Sequence, residues 1–285
     1  MRAAAPSRDR WASLLVFAAL ALGWQALSLA YTAEAQPGEP MVPGWQVLFT
    51  RTLLSMADYW PGGLEVPAVT DGAERSYLAA ILSILLHSAD TVGRLAAGLV
   101  LGGVAGLALG LALSSSRWTR RIIDWPVQFL RTLPLLAMVP LFQLWFGTDT
   151  LGEVMFVAYG IGVIVLVGTV NAVRNVPRIL LDNGRALGAS RLMLTRTVVL
   201  PAIVPAMRST VLLSLGAGWR AVLGAEYLGA QSGLGYVIVY AQQFAFLDRM
   251  FLVALLFVLY TALSTWAVAR LTARMLAWAP EGQRL

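Results

Sequence analysis

The chain has no lysine and no cysteine, and His87 is its only histidine among 285 residues. Without lysine there is no ammonium to grip nucleotide phosphates from a glycine-rich loop and none to form a Schiff base. Without cysteine there is no disulfide, thiolate zinc site or haem attachment. One histidine excludes histidine clusters. Charge is scarce too: 13% of residues are charged and 58% hydrophobic, whereas a globular domain is about a quarter charged. Serine or carboxylate chemistry within a bilayer is the remaining enzymatic option, and no GxSxG elbow supports it. No catalytic residue and no metal ligand is assigned.

What the chain has instead is long apolar runs. A mean hydropathy of +0.71 and stretches of about 20 apolar residues, the length that crosses a bilayer as a helix, predict an all-α polytopic membrane protein. Six spans are expected, at Trp11–Tyr31, Thr91–Leu113, Trp125–Phe146, Gly152–Val173, Ile203–Leu223 and Met250–Leu271, in one transmembrane domain covering residues 1–285.

Arginine placement predicts orientation, because cytoplasmic loops are enriched in basic residues. Arg2, Arg8 and Arg10 precede the first span; Arg117, Arg120 and Arg121 follow the second. Arg174, Arg178, Arg185, Arg191 and Arg196 lie between the fourth and fifth, and Arg270 and Arg274 end the sixth. All fall on one side when both termini are cytoplasmic. The other side takes the acidic residues, among them Glu34, Glu39, Asp58, Glu65, Asp71, Glu74 and Asp90, within an extracytoplasmic segment, 32–90. The net charge of +6 is thereby explained by topology, and no nucleic-acid partner is implied. The N-terminus also fits a secretory signal, with Ala33-Glu34-Ala35 as cleavage site. Its apolar run exceeds the usual signal core of about 7–15 residues, which favours a retained span.

Gly98, Gly102, Gly106 and Gly110 recur every fourth residue, with Gly103 beside them. They form a small-residue stripe on one helix face, along which backbones approach closely in lipid. Packing within the chain is favoured over a dimer contact. The third segment carries Pro134 and Pro140, each expected to remove a helix hydrogen bond and to bend a segment that either lines a path or wraps its neighbours. Arg220 and Glu226, six residues apart in the fifth span, are candidate path residues, since charge at membrane depth usually faces a cavity or a partner. Snorkelling to the interface is the alternative for both, and it is the expectation for Arg94 and Arg131. His87 is expected to make an ordinary hydrogen bond.

The polar stretch from Asp182 to Pro201, DNGRALGASRLMLTRTVVLP, sits between apolar runs. Pro177 can open a helix, Asp182 or Asn183 can cap one, Gly188 breaks the segment, and Pro201 ends it. The expectation is a short helix, a bend and a second short helix within a basic cytoplasmic loop, 174–201. An amphipathic helix lying on the membrane fits the same residues.

At these residues the chain resembles the permease subunits of bacterial binding-protein-dependent ABC importers. Their signature runs E-A-A, three residues, Gly, nine residues, I-x-L-P. Here Gly188 precedes Val198-Val199-Leu200-Pro201 at the matching distance, while Asp182-Asn183-Gly184 replace the acidic-Ala-Ala start. RTLPLLAMVPLFQLWFG, LGASRLMLTRTVVLPAIVPA and AEYLGAQSGLGYVI look like the corresponding stretches of the sulfonate, taurine, nitrate and bicarbonate branch. The resemblance covers roughly residues 85 to 275; the polar region from about Asp58 to Tyr77 looks longer than usual for that branch.

The resemblance implies the type I importer permease fold and one ATPase-docking site per copy. That site is Asp182, Asn183, Gly184, Arg185, Ala186, Leu187, Gly188, Ala189 and Ser190, with Pro201 closing the motif, seated on an ABC ATPase. It further implies two ATPase copies carrying the ATP and Mg, a permease homodimer in the lipid bilayer of the inner membrane, and an extracytoplasmic substrate-binding protein that delivers the solute. No cofactor is expected on this chain. Within the same class an aromatic acid or a vitamin-precursor heterocycle remains an alternative solute, and a secondary transporter or channel is the alternative from another class.

Overall fold

A computed structural model describes residues 7–114, 117–227 and 229–277. Arg2 lies outside the described residues, as do the side chains of Arg8, Arg10, Arg117, Arg120 and Arg121. Among the described residues the regular elements are helices and one small antiparallel pair, β1 (Glu34–Gln36) and β2 (Glu39–Pro40). The helices are α1 (Ser7–Ala30), α2 (Trp45–Val47), α3 (Leu53–Ser55), α4 (Tyr77–Ser114), α5 (Arg117–Thr132), α6 (Val139–Phe146) and α7 (Thr150–Arg174). They continue with α8 (Arg178–Ala186), α9 (Arg191–Leu194), α10 (Leu200–Tyr227), α11 (Leu234–Gln243) and α12 (Leu247–Met275). Among the described residues five helices are long and apolar enough to cross a membrane, and six if the bent pair of α5 and α6 counts as one span.

The chain divides into two compact units. One comprises residues up to Leu86 together with Val237–Leu256. In it the Trp24 indole N–H donates to Pro43 O at 2.9 Å and its ring packs on Phe251 at 4.9 Å. Its polar residues pair with one another. Arg75 forks onto Asp58 at 2.7 and 2.9 Å, Arg249 reaches Asp58 at 3.0 Å, and Thr52 donates to Asp248 at 2.6 Å. Glu39 is buried against Arg51; burial, and then the nearby Asp248 carboxylate, raise its pKa above the ordinary value of 4.5.

The other unit comprises His87–Tyr236 and the chain from Phe257 onward. Here the glycine stripe of α4 meets α7. A Cβ on Gly98 would lie 2.7 Å from Val157 Cβ, on Gly102 3.0 Å from Ala158 Cα and closer still to its carbonyl oxygen, on Gly106 2.5 Å from Gly162 O, and on Gly110 2.6 Å from Thr169 Cβ. Four successive turns thus require the absence of a side chain, and the stripe packs within the chain as expected. Gly103 has nothing within 4 Å.

Two proline expectations are corrected. The third segment is broken by a 91° bend between Trp125–Thr132 and Leu135–Phe146, with Pro134 extended at φ −67, ψ 111. Proline disfavours helical backbone in the residue before it, here Leu133, so the helix stops there. Pro140, by contrast, bends nothing. It sits in the first turn of α6, where its missing N–H would have had no helical partner. Pro201 does not end a helix either. Arg191–Tyr227 runs as one candidate span, because the π turn Thr195–Val199, closed by Leu200 N–H to Thr195 O, shifts the backbone register just ahead of the proline.

The second span begins earlier than its hydropathy suggests. Ser76 caps α4 by accepting the Ala79 N–H at 3.1 Å, and the helix runs unbroken from Tyr77 through the polar stretch up to Thr91. The expected outer segment, 32–90, therefore ends in helix.

Candidate functional site

The turn between α7 and α10 is assembled by local backbone chemistry. Pro177, at φ −57 and ψ 130, precedes α8, and α8 closes with two reciprocal bonds: Ala189 N–H to Gly184 O at 3.0 Å and Gly188 N–H to Arg185 O at 2.9 Å. This is the Schellman arrangement, which needs a left-handed residue just past the helix. Gly188 supplies it at φ +79. Ser190 then caps α9 by accepting the Met193 N–H at 3.3 Å. The expected helix, bend and helix are all present.

Asp182 and Asn183 do not cap a helix; they lie inside α8, where exposed Asp182 pairs with Arg185 at 2.9 Å. Gly184 stands where the resembled pattern has alanine, close against the following turn. A Cβ there would lie 2.7 Å from Leu194 Cδ1, a contact that turning the leucine methyl aside would relieve. Below it, Ala172, Val176, Val199 and Ile203 form a buried apolar cluster joined by Leu107, Leu111 and Leu181. The turn is thus rooted in α4, α7 and α10. Its tip faces outward: Leu187 is 88% exposed, and Ile179, Leu192 and Met193 are exposed with it. The turn thus presents an apolar tip edged by exposed Arg185 and Arg191 on a base packed against three spans.

The candidate path residues separate into two places. Glu226, 1% exposed, is sealed in the bundle with Arg94 and Glu153. Arg94 Nη1 lies 2.7 Å from Glu226 Oε1, and its Nε is paired with Glu153. Arg94 also donates to Ser232 O at 2.9 Å and Ser232 Oγ at 2.8 Å. Glu226 Oε2 accepts the Gly235 N–H at 2.8 Å, Thr91 Oγ1 the Leu234 N–H at 2.9 Å, and His87 Nδ1 the Gly233 N–H at 3.0 Å. Every N–H of the 233–235 turn is thereby held by a side chain from α4 or α10. Gly233 is at φ +102, and a Cβ there would press on Arg94 and Glu226.

Glu226 therefore holds a turn and is not among the residues lining the Arg220 cavity, and Arg94 is a buried clamp, contrary to the snorkelling expected of it. The expectation of an ordinary hydrogen bond for His87 agrees with the structure. The signal that could have found this cluster is helical spacing: His87, Thr91 and Arg94 fall at i, i+4 and i+7 on one face.

Arg220 is exposed and lines a cavity of about 510 Å³ with Arg131, Asn171 and Thr210. Pro134 and Pro140 do not line it. Pro134 contributes indirectly, since the break at Leu133 ends α5 just beyond Arg131.

The family model for the inner membrane component of binding-protein-dependent transport systems matches residues 98–277. The putative aliphatic sulfonates transport permease protein of Bacillus subtilis is 34% identical over 192 residues, 67% of this chain and 70% of that protein. Its counterpart in Escherichia coli is 34% identical over 194 residues, 68% and 74% of the two chains. The Escherichia coli taurine transport system permease protein is 28% identical over 162 residues, 57% and 59%. Among solved structures, the inward-facing MetNI methionine ABC transporter superposes with a TM-score of 0.58 at 22% identity, covering 64% of this chain and 91% of that one. That likeness is one of fold.

Proposed function

From the premise that this chain belongs to the family of binding-protein-dependent transport system inner membrane components, and is the permease subunit of an ABC importer, we propose how it is assembled and what it carries. Two copies enclose a translocation path. Each seats the segment from Asp182 to Ser190 in a groove of a separate ATPase, which holds the ATP and Mg. Both termini and this segment face the cytoplasm, and the segment between α1 and α4 faces the substrate-binding protein that delivers the solute. The solute is a small organic anion of the sulfonate kind, the class named for the relatives at 34% identity.

The observation that carries the reading is the turn itself: a Schellman-closed helix with Leu187 at its tip, 88% exposed, above a buried cluster shared with three spans. ATP-driven closure of two ATPases would move such a rigid projection as a body and transmit the movement to α4, α7 and α10.

Co-purification tests it. The tagged chain is expressed with the ATPase encoded beside it and compared with Leu187→Asp, which places a charge where an apolar groove is expected. Retention of the ATPase by the parent chain and its loss from the correctly inserted variant is the expected result. A parent chain that retains no ATPase would return the protein to the channel or secondary-transporter reading.

A further inference from the structure

Of the two cavities that Arg220 lines, the one of about 510 Å³ is shared with Arg131. Its charged groups are two guanidiniums, Arg131 from α5 and Arg220 from α10, and no carboxylate lines it. Both arginines are exposed, and neither is ion-paired among the described residues. A guanidinium cannot shed its proton, and an unpaired one within a spanning segment is costly in lipid, so it faces water or an anion. The same cavity is lined by neutral hydrogen-bonding groups, the amides of Asn171 and Asn175 and the hydroxyls of Ser209 and Thr210. The rest of the lining includes the aliphatic side chains of Val163, Ile164, Val167 and Leu213. A volume of about 510 Å³ falls in the range of small-molecule sites, about 300–1,000 Å³.

We propose that this cavity is a binding site of the permease itself for small organic anions that have an oxyanion head and an uncharged aliphatic tail, the head held by Arg131 and Arg220 and the tail against Val163, Ile164 and Leu213. The proposal rests on the anion-importer reading and narrows it. Guanidinium forks match the spread oxygens of a sulfonate or carboxylate. An ammonium on the tail would find no carboxylate in the cavity and would meet two like charges, so the site discriminates against zwitterions such as taurine. The permease thereby adds its own selection to that of the binding protein.

The test uses the purified permease–ATPase complex in lipid nanodiscs with the binding protein omitted, so that any binding belongs to the complex. Labelled 1-butanesulfonate is the probe, with taurine, butanoate and neutral butanol as competitors. The parent complex is expected to bind the probe, butanoate to compete, butanol to fail, and taurine to compete about tenfold more weakly. Arg131→Gln and Arg220→Gln are each expected to raise the Kd about tenfold, the equivalent of about 1.4 kcal/mol. Should either glutamine variant fail to assemble, Arg131→Lys and Arg220→Lys keep the charge but lose the fork, and are expected to weaken binding about threefold.

Unchanged affinity in assembled variants, or equal competition by taurine, overturns the proposal and leaves the importer reading standing. Loss of the ATPase from the parent chain strikes the importer reading instead, and the probe can then be titrated against the chain alone.

Discussion

Arg94 and Glu226 stand 132 positions apart in the chain, yet Arg94 Nη1 lies 2.7 Å from Glu226 Oε1 with both residues buried. Arg94 is the one guanidinium between two buried carboxylates, Glu226 and Glu153. Buried charge is tolerated only where partners replace lost hydration, and here the backbone of the 232–235 turn supplies much of that replacement. The pair is therefore a structural clamp, fixing the turn between α10 and α11.

Truncating one partner should be far worse than neutralising it. Glu226→Ala leaves Arg94 and the Gly235 N–H short of an acceptor and should cost about 3–5 kcal/mol. Glu226→Gln keeps a carbonyl for one of them and should cost less. Unfolding titrations in detergent would measure both. An alanine variant within about 1 kcal/mol of the parent would show that the clamp contributes little.

The glycines of α4 predict opposite outcomes for neighbours in sequence. Gly110→Ala places a Cβ 2.6 Å from Thr169 Cβ and should destabilise by about 1–3 kcal/mol, as overpacking does. Gly103→Ala meets nothing within 4 Å and should be neutral or stabilising by up to about 1 kcal/mol, through helix propensity. Thermal melting of both variants decides it; equal losses would count against close packing of α4 on α7.

Gly188 is held at φ +79 with open space around it, so a side chain there meets strain and no clash. Gly188→Val should cost the turn about 1–2 kcal/mol while leaving the spans inserted. Solute-stimulated ATP hydrolysis in reconstituted complexes should fall sharply. Normal coupling in that variant would show that the left-handed conformation is dispensable for docking.

Glu39 gives the pH dependence its sign. Burial, and then Asp248, raise its pKa above 4.5, so the folded chain holds this proton more tightly than the unfolded chain. The associated stability is present below the unfolded value and is lost as pH rises through the folded one. Glu39→Gln removes a charge that is unfavourable only when ionised. Its melting temperature relative to the parent should therefore be more favourable at pH 7.5 than at pH 4.5, and the reverse order would contradict the burial argument.

Much of the architecture could be read from local pattern. Apolar runs located the spans because hydropathy is a property of each segment alone, and Pro177 and Gly188 marked the projecting turn because helix opening and left-handed backbone are local chemistry. The misreadings were of three kinds. Pro140 and Pro201 looked like interruptions, but a helix tolerates proline in its first turn or behind a π turn. Asp182 looked like a cap, yet Pro177 had already started the helix. Arg94 looked interfacial because its partners, Glu153, Glu226 and Ser232, are 59, 132 and 138 positions away.

The sequence alone determined that the chain crosses a membrane, that one polar turn projects between two spans, and that no lysine or cysteine chemistry resides on it. Composition and single-residue backbone preference suffice for those. Only the tertiary structure decided that Arg94 and Glu226 close on each other while Arg131 and Arg220 line one cavity with Asn171, Asn175, Ser209 and Thr210. Coulomb interaction and desolvation depend on which groups are adjacent in space, and helix packing, steered by glycines too small to keep α4 from α7, set that adjacency.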